Sequence, residues 1–320
     1  MKRVYNIIGL LLVATLFIGC DDVFEENISD DSITVISPKD DAIINSNSVT
    51  FRWDVLDGAS EYNVQVSEQS SFTIVLDSMV QGNILSVQMQ SGIYDWQVRG
   101  ENFAYVSSYS FPESFSIEST NNLADQNVFL NAPSDNFYTG NNTIILSWSV
   151  IQAADSYSIQ VEKTLDGNTS IVLQQNEITG ASFTLDSSIL DEDAVYGWSI
   201  KAVNDISETS FSSRNIFLDT TVPNQPTLTS PNDNDTTSTT VDFTWNSGAD
   251  TGNVQSPLAN LLEISTDENF SSIVQSYNTG EVVSQQHTFS NTGIFYWRVR
   301  ISDEAGNESS YSETRSITVE

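Results

Sequence analysis

All six tryptophans of this 320-residue chain fall on one repeating grid, and that grid restricts the fold more than any other feature. Trp53, Trp148 and Trp245 lie 95 and 97 residues apart in the segments VTFRWDV, IILSWSV and VDFTWNS. Each has a proline upstream, Pro38, Pro133 and Pro231, at distances of 15, 15 and 14 residues. Trp96, Trp198 and Trp297 form the second set, in GIYDWQVRG, AVYGWSIKA and GIFYWRVRI. Self-similarity at a fixed period marks a chain built of repeated structural units. The chain therefore reads as three tandem modules of about 90–100 residues, a usual domain size.

Within each copy the apolar residues alternate with polar ones, as in Val49, Phe51 and Trp53, or Tyr157, Ile159 and Val161, or Phe295, Trp297 and Val299. A period of two is the strand signal, with one face on a core and the other in water. After residue 20 no stretch keeps a convincing 3.6-residue stripe. Short strands separated by Gly, Asn, Asp and Ser turns, about seven per copy, describe a β-sandwich, so the predicted fold class is all-β. The three sandwiches are expected at 33–119, 126–219 and 226–320. The joints fall at Ser119–Asp125 and Thr220–Pro226, and TTVPNQP at the second holds two prolines that would stiffen it and keep the modules in a row.

The strand near the end of each copy reads Tyr94-x-Trp96-x-Val98-x-Gly100-x-Asn102 in the first and Tyr196-x-Trp198-x-Ile200-x-Ala202-x-Asn204 in the second. This resembles the F strand of fibronectin type III domains, and the strand carrying the earlier Trp resembles their B strand. The resemblance implies three tandem fibronectin type III-like, or Ig-like, sandwiches with a hydrogen-bonded tyrosine corner at Tyr94 and Tyr196. Copy three departs from it, with Phe295 at the corner, Asp303 in place of the Asn and a longer B–C connection from Asn246 to Asn260. Val66–Phe72 parallels Ile264–Phe270, and Tyr109, Phe211 and Tyr311 occupy equivalent places as core or sheet-face aromatics. Such a resemblance speaks of architecture and leaves activity open.

Lys2 and Arg3 precede an apolar run from Ile7 to Ile18, the length of a signal-peptide h-region and too short to span a bilayer. The run ends in Leu16 to Cys20, LFIGC, which resembles the lipobox of bacterial lipoproteins. That resemblance implies a signal peptide at 1–19, lipidation of Cys20 and a membrane anchor through the attached acyl chains. Asp21, Asp22, Glu25 and Glu26 follow, resembling the acidic signal that sends lipoproteins of the Bacteroidota to the outer face of the outer membrane. Residues 20–32, the lipidated Cys and an acidic tether, are expected to form a disordered stalk.

Eleven Lys and Arg against 43 Asp and Glu give a net charge of −32, a field that repels phosphate backbones, so nucleic acid is excluded as a partner. One Cys and one His exclude disulfide frameworks and Cys/His zinc sites. His287, in SQQHTFS, reads as a solvent-facing strand residue, no pair of carboxylates stands out as catalytic, and no enzyme activity or cofactor is expected. No metal ligand set is assigned. The oxygen-rich turns Asn232–Asp235, Asp191–Asp193 and Asp303–Glu308 read as solvated turns without the spacing of an EF-hand loop. The candidate ligand contacts are aromatic: Phe103 and Tyr105 have no counterparts in the other copies, and Phe137 and Tyr138 sit in an A–B turn. Loops at the ends of a sandwich are where such modules carry binding surfaces. The expected function is a non-catalytic adhesion, binding or spacer array at the cell surface with an extracellular protein or polysaccharide ligand. The alternative is a glycan-binding accessory lipoprotein of a polysaccharide-uptake system.

Overall fold

Alternation of polar and apolar residues produces strands in which every second side chain is buried, most regularly in Ala194–Val203 and Gly293–Asp303. The structure, a computed structural model, describes residues 25–320; the signal segment 1–19 and Cys20 lie outside the described residues. The first module holds β1 (Val35–Ser37), β2 (Ala42–Ile44), β3 (Ser48–Trp53), β4 (Glu61–Glu68), β5 (Thr73–Val80), β6 (Ile84–Gln88), β7 (Gly92–Glu101) and β8 (Glu113–Ile117). The second holds β9 (Leu130–Ala132), β10 (Phe137–Thr139), β11 (Ile144–Trp148), β12 (Ser156–Leu165), β13 (Asn168–Ile178), β14 (Ser182–Leu185), β15 (Ala194–Val203) and β16 (Ser212–Leu218). The third holds β17 (Thr227–Ser230), β18 (Asp235–Thr237), β19 (Thr240–Asn246), β20 (Leu258–Ser265), β21 (Ile273–Gly280), β22 (Ser284–Thr288), β23 (Gly293–Asp303) and β24 (Arg315–Val319). Each module pairs a three-stranded with a five-stranded sheet, in the orders β1-β3-β6 and β2-β8-β7-β4-β5 for the first and the equivalent orders for the others. The architecture is all-β, three tandem two-sheet sandwiches.

The expected count of seven strands becomes eight because the first strand breaks at the proline grid. Pro38, Pro133 and Pro231 each follow a cis peptide bond, and three residues on Asp41, Asn136 and Asn234 adopt positive φ of 63°, 55° and 64°. Proline has no N–H to continue a ladder, and Asp and Asn tolerate the left-handed region better than other side chains, so the chain turns there. The first half stays in the small sheet and the second half joins the large one. In the second and third modules it pairs parallel to the last strand, β10 with β16 and β18 with β24.

All six indoles are buried. In the first module Phe51 packs on Trp96 and Phe115 at centroid distances of 4.9 and 5.7 Å, and in the third Phe243 packs on Trp297 at 5.0 Å. The Trp96 indole N–H donates to the carbonyl of Pro38 at 2.9 Å. In the other modules a last-strand guanidinium takes the equivalent carbonyl: Arg214 donates to Pro133 O and Arg315 to Pro231 O. The Trp198 and Trp297 indole nitrogens, displaced from that acceptor, are buried without a protein partner. The tyrosine corner forms at Tyr196, whose hydroxyl donates to Glu192 O or Asp191 Oδ1 at 3.0 and 2.9 Å; Phe295 instead packs on Phe289 at 4.3 Å. Tyr109, Phe211 and Tyr311 are sheet-face rings, each beneath a cation: Arg99, Lys201, and Arg298 with Arg300.

Two expectations are corrected. Residues 25–32 do not form a disordered stalk: Ile28 is fully buried, Asn102 Nδ2 donates to Glu26 O at 2.9 Å, and Ser108 N donates to Asp31 O at 3.1 Å. His287 is half-buried rather than solvent-facing; its Nδ1 lies 2.9 Å from the Tyr277 hydroxyl, its ring stands edge-on to Phe289, and burial holds its pKa below the ordinary imidazole value. The described residues fall into two compact units, one with most of the first module and one with Ile117–Glu320 and so both remaining modules.

Candidate functional site

Phe103 is 96% exposed on the β7–β8 connection, and Tyr105, at 36%, accompanies it there; no ring contact joins the two among the described residues. The loop that carries them is braced by Asn102, whose Oδ1 accepts from Ala104 N and Tyr105 N at 3.1 and 2.8 Å. Phe111 and Phe72 are exposed as well. Phe72 shares its φ of 55° with Phe270, but Phe270 is covered by Arg298 at 3.9 Å and Gln97 stands where that arginine would be. The second candidate pair behaves differently. Phe137 is 37% exposed, while Tyr138 stacks on Phe217 at 4.8 Å, so the A–B aromatics serve the sheet at least in part.

The chain before each module is latched at the same place. In the first, Asn102 Nδ2 donates to Glu26 O in the preceding segment and to Gly58 O in the β3–β4 connection, at 2.9 and 2.8 Å. In the second, Asn204 Nδ2 donates to Asn121 O and Ala153 O at 2.8 and 2.9 Å. One neutral amide thus ties the incoming chain, one connection and the end of the penultimate strand together.

In the third module the same three elements each present a carboxylate. Asp219 comes from the incoming chain, Asp250 from the β19–β20 connection and Asp303 from the end of β23, and a ligand-capable oxygen of each lies within 4.8 Å of the others. They are 0%, 9% and 7% exposed. Two unit charges that far apart repel by about 3.5 kcal/mol at an effective dielectric constant near 20. Among the described residues no Lys, Arg or His forms an ion pair with any of them. The partners present are all neutral donors, the Ser256 hydroxyl on Asp219 among them. Ser256 N and Thr221 N donate to Asp219, Gly252 N to Asp250 Oδ1, and Asn307 N and Nδ2 to Asp303. Asp250 Oδ2 is buried with no hydrogen-bond partner. Burial, and in smaller part the Asp250 charge, pushes the Asp219 carboxyl above its ordinary value despite its hydrogen bonds. Direct bonds hold the second and third modules together here: Asn307 Nδ2 donates to Asp219 O and Gly140 N to Ala305 O, at 2.8 and 2.9 Å.

The acidic turns singled out in the sequence have protein partners instead of bare solvation. Asp233 Oδ1 accepts from Ser316 N and Oγ, Asp191 and Glu192 bracket Lys163, and Asp193 accepts from Thr220 and Thr221. Only Asp303 of those turns belongs to the carboxylate cluster; Asp219 and Asp250 escape sequence reading because no spacing relates them. The one signal is the Asn-to-Asp change at 303 in the repeat register.

No family model matches this chain, and no curated protein matches it. Among solved structures it is similar to the crystal structure of the chicken CNTN1 FN1-FN3 domains, at 15% identity and a TM-score of 0.45, covering 90% of this chain and 97% of that one.

Proposed function

We propose that this chain is a lipid-anchored, non-catalytic bacterial lipoprotein whose three modules act as a binding or spacer array at the cell surface. The observation that carries the reading is how the aromatic residues are used. All six indoles are spent on sandwich cores, whereas the most exposed rings, Phe72, Phe103 and Phe111, lie on turns and connections. Loops held on rigid sheets are where binding residues commonly sit. Attachment through Cys20 fits the same role, since each buried acyl CH₂ contributes about 0.8 kcal/mol to membrane binding. Replacing the sole Cys by Ser is expected to move the protein from the membrane to the soluble fraction of cells producing it; continued membrane association refutes the anchor.

The second reading, capture of a polysaccharide, is favoured by the exposure of Phe103 beside Tyr105, because bare aromatic faces stack on sugar rings. A glycan array probed with the unlipidated chain separates the two. Hits lost in Phe103→Ala support glycan capture, and an array without hits leaves the spacer or adhesion reading.

A further inference from the structure

We infer that the junction of the second and third modules is a calcium site, with Asp219, Asp250 and Asp303 as its carboxylate ligands. Three buried carboxylates share a space with no cationic side chain, and water is largely excluded from all of them. Buried charge is tolerated when paired or bound to a metal. The internal repeat supplies an independent argument. Where Asn102 and Asn204 bridge two carbonyls with amide protons, the third module replaces the donor with a carboxylate, and the partners it would have bridged contribute carboxylates too. The third module has an amide donor in Asn307, which reaches Asp303 and the Asp219 carbonyl, but no cation to balance the three carboxylates among the described residues.

The oxygen inventory points the same way. Asp250 Oδ2 is buried and unpaired on a side chain more than nine-tenths covered, which is a lone pair held for a ligand that the protein does not provide. Calcium binds oxygen at about 2.3–2.6 Å, so one ion can join oxygens up to about 5 Å apart, and the three carboxylates meet that limit. Calcium also accepts irregular geometry and takes part of its shell from carbonyls and water. Filled, the site would clamp the incoming chain, the β19–β20 connection and the end of β23, the three elements latched by asparagine elsewhere.

The test uses the full chain, stripped with a chelator and titrated with calcium chloride in a calorimeter, alongside thermal unfolding with and without the ion. One saturable site is expected, in the 10⁻⁴–10⁻³ M range common for extracellular modules, above the weak background of an acidic surface. Asp250→Asn should weaken that site by about tenfold or more, while Asp233→Asn, in an exposed turn, should leave it intact. Asp303→Asn restores the amide of the first two modules; it should raise the calcium-free unfolding midpoint and abolish the calcium response. Should Asp250→Asn fail to fold, Asp303→Asn carries the test alone. Absence of a saturable site, equal losses in Asp233→Asn and Asp250→Asn, or a calcium response that survives Asp303→Asn would each overturn the assignment.

Discussion

Replacing Phe51 by Ala tests whether the chain is built of separate cores. The ring is fully buried in the first module between Trp96 and Phe115, and the substitution removes its transfer energy and leaves a cavity. Phe→Ala changes in cores cost about 3–5 kcal/mol, and the loss of two aromatic contacts, each contributing about 0.5–1.5 kcal/mol, places this one near the middle of that range. A module of this size has a stability of about 5–13 kcal/mol, so roughly a third or more of it would be lost. At about 4–8 °C per kcal/mol the midpoint of that module falls by roughly 15–30 °C. Differential scanning calorimetry of the full chain reads the result directly. One transition should move down while the rest of the trace stays in place, and Phe243→Ala should shift a different one. A trace in which every transition drops by the same amount, or a fall of only a few degrees, refutes the reasoning.

Two further outcomes are expected. Arg298 donates to Glu263 through Nε and Nη2 at 2.9 and 2.7 Å while its guanidinium lies 3.9 Å from the Phe270 ring and 3.6 Å from that of Tyr311. Arg298→Lys keeps the charge but loses the planar stack and the second donor, so denaturant unfolding should show a loss of about 1–2 kcal/mol, and an unchanged midpoint would contradict the stacking argument. Asp193 is the pH probe: burial raises its pKa, but the hydroxyls and N–H from Thr220 and Thr221 outweigh it and hold the carboxyl below 3.8. A carboxylate lowered in the folded state contributes stability above its unfolded value and loses it as pH falls through the folded one. The melting-point advantage over Asp193→Asn should therefore hold at neutral pH and close below about pH 3.8; an advantage that persists in acid would show that the hydroxyl contacts do not set the shift.

The tryptophan grid and the period-two pattern made the sandwiches legible because each core draws on residues at fixed offsets within one module. The break of the first strand was half visible: the prolines were, but that the two halves would join opposite sheets depends on the positive φ at Asp41, Asn136 and Asn234. The packing of residues 25–32 was hidden by composition, a lone isoleucine in an acidic stretch. Extending the repeat register would have found it, since Ile28 lies 25 residues before Trp53 and Leu123, also fully buried, 25 before Trp148. Of the carboxylate cluster only Asp303 could be suspected. Asp219 and Asp250 are two among 43 acidic residues, and only the folded topology brings a linker, a connection and a strand end to one point. Phe103 and Tyr105 were legible as insertions, whereas the half-covering of Tyr138 required knowing that Phe217 lies alongside.

The parallel pairing of β10 with β16 and of β18 with β24 has a mechanical corollary. Tension that has passed the first strand, β9 or β17, loads the start of the short second strand against the far end of the last. Because those neighbours run in the same direction, the load slides one past the other and falls on all their rungs together, instead of peeling them apart singly from one end. Under load such a module would resist by shear, yielding when the ladder gives way as a whole.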